Sequence, residues 1–127
     1  MYNSPAKILF VEDDIDYQEL ITAMLSGLYA VTVCSNAEDA VAKLDGDDFD
    51  LVVSDINMLG MTGLELLYKM KREGKSETCP VILCSGQSDP EIRETVMESG
   101  AAGFLVKPYP IDTLKNLVAT LLSSRPK

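Results

Sequence analysis

Residues 7–14 read KILFVEDD: a run of four apolar residues, 8–11, followed without a break by Glu12, Asp13 and Asp14. Four residues are too few for a helix. An unbroken apolar run of that length, closed by polar residues, fits a strand buried on both faces. The carboxylates then stand beyond the carboxyl end of that strand. Downstream, Asp16 and Glu19 have the spacing of a capping box, and Leu20, Ile21, Met24, Leu25 and Leu28 recur with a helical period.

The rest of the chain repeats this unit. Residues 31–34 read as a second strand. Ser35 and Glu38 form a second capping pattern, and Ala37, Ala40, Val41 and Leu44 carry a helix to the acidic turn 45–48. Residues 51–53 give a third strand that ends in Ser54 and Asp55. A loop over 57–62, punctuated by Gly60 and Gly63, leads to a helix capped by Thr62 and Glu65 that stops near Gly74. Residues 81–84 are the fourth strand. Ser88, Asp89, Pro90 and Glu91 open the next helix, with Pro90 in the first turn where it is tolerated. Gly100 and Gly103 bracket the turn into the fifth strand, 104–106. Pro108 and Pro110 interrupt the chain, and Leu114, Leu117, Val118, Leu121 and Leu122 mark a last helix before a polar tail at 123–127. Five strand–helix alternations predict a parallel sheet with helices on both faces, and strands apolar throughout agree with that.

Composition narrows the function. The 127 residues suffice for one domain, expected to span 1–127 with a core from about 6 to 122. Eleven basic against twenty acidic residues leave a net charge of −9, which opposes binding to nucleic acid or an anionic membrane by bulk electrostatics. There is no histidine, so Ser-His-Asp catalysis and His-ligated zinc are excluded. Cys34, Cys79 and Cys84 are odd in number and lack CxxC spacing, which argues against a disulfide framework; Cys34 and Cys84, in apolar runs, are expected to be buried thiols. The first ten residues do not resemble a secretory signal, and no apolar run reaches about 18 residues. A soluble cytoplasmic protein is the expectation.

In a sheet of this kind, ligands bind beyond the carboxyl ends of the strands. Four strands place ionisable or hydroxyl groups there: Glu12, Asp13 and Asp14 after the first, Asp55 at the end of the third, Ser85 at the end of the fourth, and Lys107 after the fifth. Crowded carboxylates repel one another, and a cation offsets that cost. An all-oxygen donor set suits a hard ion, Mg²⁺ in preference to zinc or copper, with coordination left for a phosphoryl group. Lys107 then supplies a compact positive charge, Ser85 a hydroxyl donor and Asp55 a nucleophile for a covalent aspartyl phosphate. Taken alone, each residue has a plainer role as a cap or turn residue, and Asp14 keeps that role, as a helix cap or solvated charge.

These motifs resemble the receiver domain of two-component response regulators over nearly the whole chain. KILFVEDD is similar to that family's first strand and acidic pair, SDINMLGMTG to its phosphoacceptor loop, VILCSG to its fourth strand, and GFLVKP to its fifth strand and Lys-Pro. The resemblance implies a doubly wound five-stranded parallel sheet in the flavodoxin-like order 2-1-3-4-5, with five helices. It implies that Asp55 is phosphorylated and that Asp13, Glu12 through water, Asp55 and the backbone carbonyl of Asn57 serve Mg²⁺. Lys107 and Ser85 would contact the phosphoryl group, Ser85 and Phe104 would switch, and Asn57 and Gln87 would tune the phosphoryl lifetime. The Lys107–Pro108 bond would be cis. The implied partners are a sensor histidine kinase or phosphotransfer protein, and a downstream protein or output domain on the face of the fourth helix, fifth strand and fifth helix. Three residues depart from the family pattern: Leu59 stands where proline is usual, which predicts a freer loop, Gly86 replaces alanine, and Phe104 lacks a tyrosine hydroxyl.

Three rivals remain on sequence grounds. An aspartyl-nucleophile phosphatase of the haloacid-dehalogenase type wants an aspartate at position 57, where this chain has Asn57. A flavodoxin-like electron carrier would meet repulsion between a flavin phosphate and residues 12–14. A phosphorylation-independent adaptor would not need the complete set of site residues.

Overall fold

Each apolar run becomes a strand of one parallel sheet. The computed structural model describes residues 5–86 and 90–124. The elements run β1 (Lys7–Val11), α1 (Ile15–Leu25), β2 (Ala30–Cys34), α2 (Ala37–Gly46), β3 (Leu51–Asp55), α3 (Gly63–Arg72), β4 (Val81–Ser85), α4 (Pro90–Glu98), β5 (Gly103–Val106) and α5 (Ile111–Ser124). A short 3₁₀ turn, Lys75–Glu77, which the sequence reading lacks, follows α3. The strand order is β2-β1-β3-β4-β5, all parallel. Fold class and strand order are those expected.

The order explains the composition of β1, which lies between β2 and β3. Ile8 and Phe10 face one way, toward Ile21 and Leu25 of α1 and Leu114 and Val118 of α5. Leu9 and Val11 face the other way, toward Ala37 and Ala40 of α2, Leu66 and Met70 of α3, and Val96 of α4. All four are at most 1% exposed. Burying a side chain of this size contributes about 1.5–3 kcal/mol, so polar residues are selected against on both faces of β1. The edge strand β2 corrects the expectation of uniform burial: only Cys34 in it is buried, and Ala30 is exposed. With a neighbour on one side only, Thr32 is tolerated there.

Of the three helix caps that can be compared, one is open between two aspartates in the sequence, one differs from expectation and one is as expected. For α1 the sequence offers both Asp14 and Asp16, and Asp14 is the cap: its Oδ1 accepts from the backbone N–H of Asp16 at 2.9 Å and of Tyr17 at 3.4 Å. Asp16 therefore lies inside the first turn. Asn36, not Ser35, caps α2, accepting from Asp39 N at 2.7 Å. Thr62 and Glu65 do form the expected capping box on α3, at 3.1 and 2.9 Å. The helix ends at Arg72, and Gly74 turns the chain at φ 75°, a left-handed conformation that glycine enters without a Cβ penalty. Pro90 is the first residue of α4 as expected, while the cap assigned to Ser88 and Asp89 lies outside the described residues. Ser123 belongs to α5, so the tail begins later than read. Cys34 and Cys84 are buried free thiols, and so is Cys79. Among the described residues, no helix is long and apolar enough to cross a membrane.

Candidate functional site

The carboxyl ends of β1, β3, β4 and β5 converge, because parallel strands all finish on one rim. Register places Asp55 opposite Cys84, and Ser85 opposite Val106. Two backbone bonds continue the ladder past the strand ends: Ile56 N–H donates to Cys84 O at 2.8 Å, and Lys107 N–H donates to Ser85 O at 2.8 Å. Glu12 N–H donates to Cys34 O at 2.9 Å. Side chains at these positions are thus held by sheet geometry rather than by free loops.

Lys107 is the centre of the arrangement. Its Nζ lies 2.5 Å from Glu12 Oε1 and 2.8 Å from Asp55 Oδ1. It follows β5 directly and is joined to Pro108 by the expected cis peptide bond. Glu12 is 4% exposed and Asp55 8%, so neither is a solvated surface charge. The second oxygen of Glu12 accepts from Asp14 N–H at 3.1 Å. Gln18, reaching back from α1, donates to the Glu12 carbonyl at 2.5 Å and to Ser35 Oγ at 3.2 Å.

Burial, then the neighbouring Glu12 carboxylate, pushes the Asp55 acid upward from the usual carboxylate range, against the pull of Lys107. For Lys107, burial disfavours the charge, but the hydrogen bonds to Asp55 and Glu12 outweigh it and raise its pKa. The pair of carboxylates therefore needs positive charge. One oxygen each of Glu12, Asp13 and Asp55 lie within 4.8 Å of one another. The donors are all oxygen, Asp13 is exposed, and no imidazole or thiolate joins the cluster, a set that fits a hard divalent cation such as Mg²⁺.

A cavity of about 190 Å³ opens beside these groups, lined by Asp55, Asn57, Cys84, Ser85, Gly86 and Lys107. A wider cleft of about 620 Å³ along β2 and α2 shares no residue with it. The sequence-derived set Asp55, Asn57, Ser85 and Lys107 is therefore brought to one cavity, with Glu12 and Asp13 at its acidic side. Asp14 is the α1 cap. Phe104 lies apart from the cavity, half-buried in β5, with the Arg93 guanidinium carbon 5.5 Å from its ring centroid. Gln87 falls outside the described residues.

The comparisons with known proteins agree with this geometry. Residues 8–119 match the family described as "Response regulator receiver domain". The chain belongs to that family. It is 32% identical over 124 residues to the transcriptional regulatory protein ZraR of Klebsiella oxytoca, covering 97% of this chain and 28% of ZraR. The chain likewise spans less than a third of three further curated relatives. Among solved structures, the chemotaxis response regulator CheY4 of Vibrio cholerae superposes with a TM-score of 0.85 at 28% identity, covering 93% of this chain and 99% of that one. The response regulator TrrA of Thermotoga maritima, solved in complex with Mg²⁺-BeF, gives a TM-score of 0.80 at 31% identity, over 91% of this chain and 98% of that one. The protein is a receiver domain of the two-component type.

Three residues that support the receiver site were not singled out from sequence for that role. Tyr17 lays its ring under Lys107, with Nζ 4.4 Å from the ring centroid. Glu38 accepts from Met61 N–H at 3.0 Å and so tethers the loop after β3, where Leu59 is 92% exposed. Gly63 donates from its N–H to Ile56 O at 3.0 Å. Only Tyr17 left a trace in sequence, as an aromatic residue between the polar Asp16 and Gln18 close after the acidic run 12–14.

Proposed function

We propose that this receiver domain, read as the single unit 1–127, accepts a phosphoryl group onto Asp55 from a phosphohistidine of a sensor histidine kinase or phosphotransfer protein. The observation that carries the reading is the buried Asp55 carboxylate at the end of β3, paired with Lys107 at 2.8 Å and opening on the 190 Å³ cavity. An Asp55 oxygen forms the new P–O bond while the P–N bond to the donor imidazole breaks, and the electron pair stays with the imidazole nitrogen. Chemistry of this kind is mainly positioning and charge neutralisation. Glu12, Asp13, Asp55 and the Asn57 carbonyl would hold Mg²⁺, which when bound neutralises charge on the phosphoryl oxygens. Lys107 supplies the fixed positive charge opposite the attacking oxygen. The Ser85 hydroxyl donates to a phosphoryl oxygen.

Hydrolysis by water returns Asp55 to the carboxylate and releases phosphate; Asn57 lines the cavity where that water enters and offers it no charge, and the uncharged Gln87, two residues after Ser85 in sequence, is the second residue assigned to tuning the lifetime. Movement of Ser85 toward the phosphoryl group and of Phe104 inward changes the α4–β5–α5 face, which presents the switch to a downstream protein or output domain. A cytoplasmic location follows from this partner set. An aspartyl-phosphatase reading is less favoured because Asn57 cannot serve as its acid.

Incubation with Mg²⁺ and acetyl phosphate tests the assignment. Intact-mass spectrometry is expected to show one added phosphoryl group on the wild type and none on Asp55→Asn. Equal labelling of the two proteins overturns it.

A further inference from the structure

We propose that Tyr17 is a positioning residue for Lys107, holding the ammonium against Asp55 by a cation–π contact; this rests on the reading of Asp55 as phosphoacceptor. Lys107 Nζ is held from three sides: Glu12 at 2.5 Å, Asp55 at 2.8 Å, and the face of Tyr17 at 4.4 Å from the centroid. An ammonium has three N–H donors and no acceptor, so a third attractive surface is not redundant. An aromatic face within about 6 Å attracts such a cation, more strongly when water is excluded.

The three holders are not equivalent. Glu12 and Asp55 are both members of the acidic cluster, so a divalent cation competes with Lys107 for their oxygens. Tyr17 is uncharged and outside that cluster. It is the one holder whose grip does not weaken when the carboxylates are drawn elsewhere. Its own place is well determined. Its backbone N–H is capped by Asp14 at 3.4 Å, and its ring packs on Tyr109 with centroids 5.8 Å apart at 56°. Tyr109 is in turn half-buried against the core cluster that contains Cys84 and is hydrogen-bonded to that thiol, which connects the Tyr17 ring to the β4 core. The ammonium is thereby fixed relative to α1, β4 and β5 at once.

The test replaces residue 17 with leucine, with phenylalanine, and with phenylalanines carrying one, two and three ring fluorines. Fluorination keeps the ring's shape and apolar surface but drains negative charge from its face, so a packing role is blind to it. Two readouts apply: the rate of Asp55 labelling by acetyl phosphate at saturating Mg²⁺, and the Lys107 ε-methylene resonance in the metal-free protein. Tyr17→Phe is expected to label within about twofold of wild type, and Tyr17→Leu roughly three- to tenfold more slowly. The logarithm of the rate falls stepwise with fluorine count. The Lys107 ε-methylene is displaced upfield by the ring current in wild type and Tyr17→Phe, and returns to the position of ordinary lysines in Tyr17→Leu. A labelled wild type with a flat rate across the fluorine series, or a Lys107 resonance unchanged by Tyr17→Leu, overturns the role of Tyr17 alone. A wild type that takes up no phosphoryl group overturns the receiver chemistry, and this inference with it.

Discussion

Glu12, Asp13 and Asp14 are consecutive carboxylates with three different surroundings. Glu12 is the first residue past a buried strand and turns inward to Lys107. Asp13 is exposed, with one oxygen directed to the cluster. Asp14 turns to its own chain and caps α1. A cap of this type is worth about 1 kcal/mol, because it satisfies N–H groups that have no partner within the helix. Asp14→Ala is therefore expected to lose about 1 kcal/mol in urea unfolding while keeping any response of the protein to Mg²⁺. Loss of the Mg²⁺ response in Asp14→Ala would mean that the cap and metal roles are wrongly divided between Asp13 and Asp14. The sequence shows three acids in a row and a strand end, and so locates the site. It does not show which acid turns which way, because that is decided by φ and ψ over one or two residues. The same ambiguity leaves the α1 cap open between Asp14 and Asp16 in the sequence, and displaces the α2 cap from Asn36 to Ser35. Ser35 instead serves the site indirectly, accepting from Gln18.

At the level of elements, α3 is joined to β3, the strand that ends in Asp55, through a glycine. A Cβ on Gly63 would lie 2.2 Å from the Asp55 carbonyl oxygen and 3.1 Å from Ile56 Cα, both backbone atoms that cannot swing away. The capping box on Thr62 and Glu65 fixes the start of α3 at the same point. Gly63→Ala is expected to force α3 away from β3, costing about 1–3 kcal/mol as overpacking does, and to slow Asp55 labelling. Gly46, the last residue of α2, provides the contrast: a Cβ there meets nothing within 4 Å, so Gly46→Ala is expected to be neutral or stabilising by about 0.4–1 kcal/mol. Urea melts of the two variants separate the cases, and a neutral Gly63→Ala would refute the close approach. Sequence presented Gly63 only as loop punctuation, since a contact across the fold leaves no local pattern. What was legible at this scale was the set of doubly buried strands. β1, β3 and β4 are interior to the sheet and every residue of β3 and β4 is buried, so their sequences show no polar alternation. β2 at the edge departs from that pattern for the same reason.

For the molecule as a whole, the rim of the sheet concentrates charge that the rest of the fold must tolerate. Glu12, Asp13 and Asp55 stand together with Lys107 as the cation paired to two of them, in a chain whose net charge is already −9. Unfolding separates these carboxylates, so their mutual repulsion in the metal-free state acts against the native fold. A ligand bound only by the native state stabilises it by RT ln(1 + [L]/Kd), about 1.4 kcal/mol at ten times Kd. With an unfolding entropy near 2.1 cal/mol/K per residue, that corresponds to a rise in Tm of about 5 °C for a domain of this size. Mg²⁺ is thus expected to raise the Tm of the unphosphorylated protein, and Asp13→Ala to abolish the rise. Removing Asp13 also removes one repelling charge, so metal-free Asp13→Ala is expected to melt at or above the wild type. If Asp13 were an ordinary surface hydrogen-bonder, its loss would lower the metal-free Tm and Mg²⁺ would affect neither protein. Thermal melts of both proteins at fixed ionic strength, with and without millimolar Mg²⁺, distinguish the two. A wild-type Tm that ignores Mg²⁺ removes the metal from the site, and with it the neutralisation that the proposed phosphorylation of Asp55 requires.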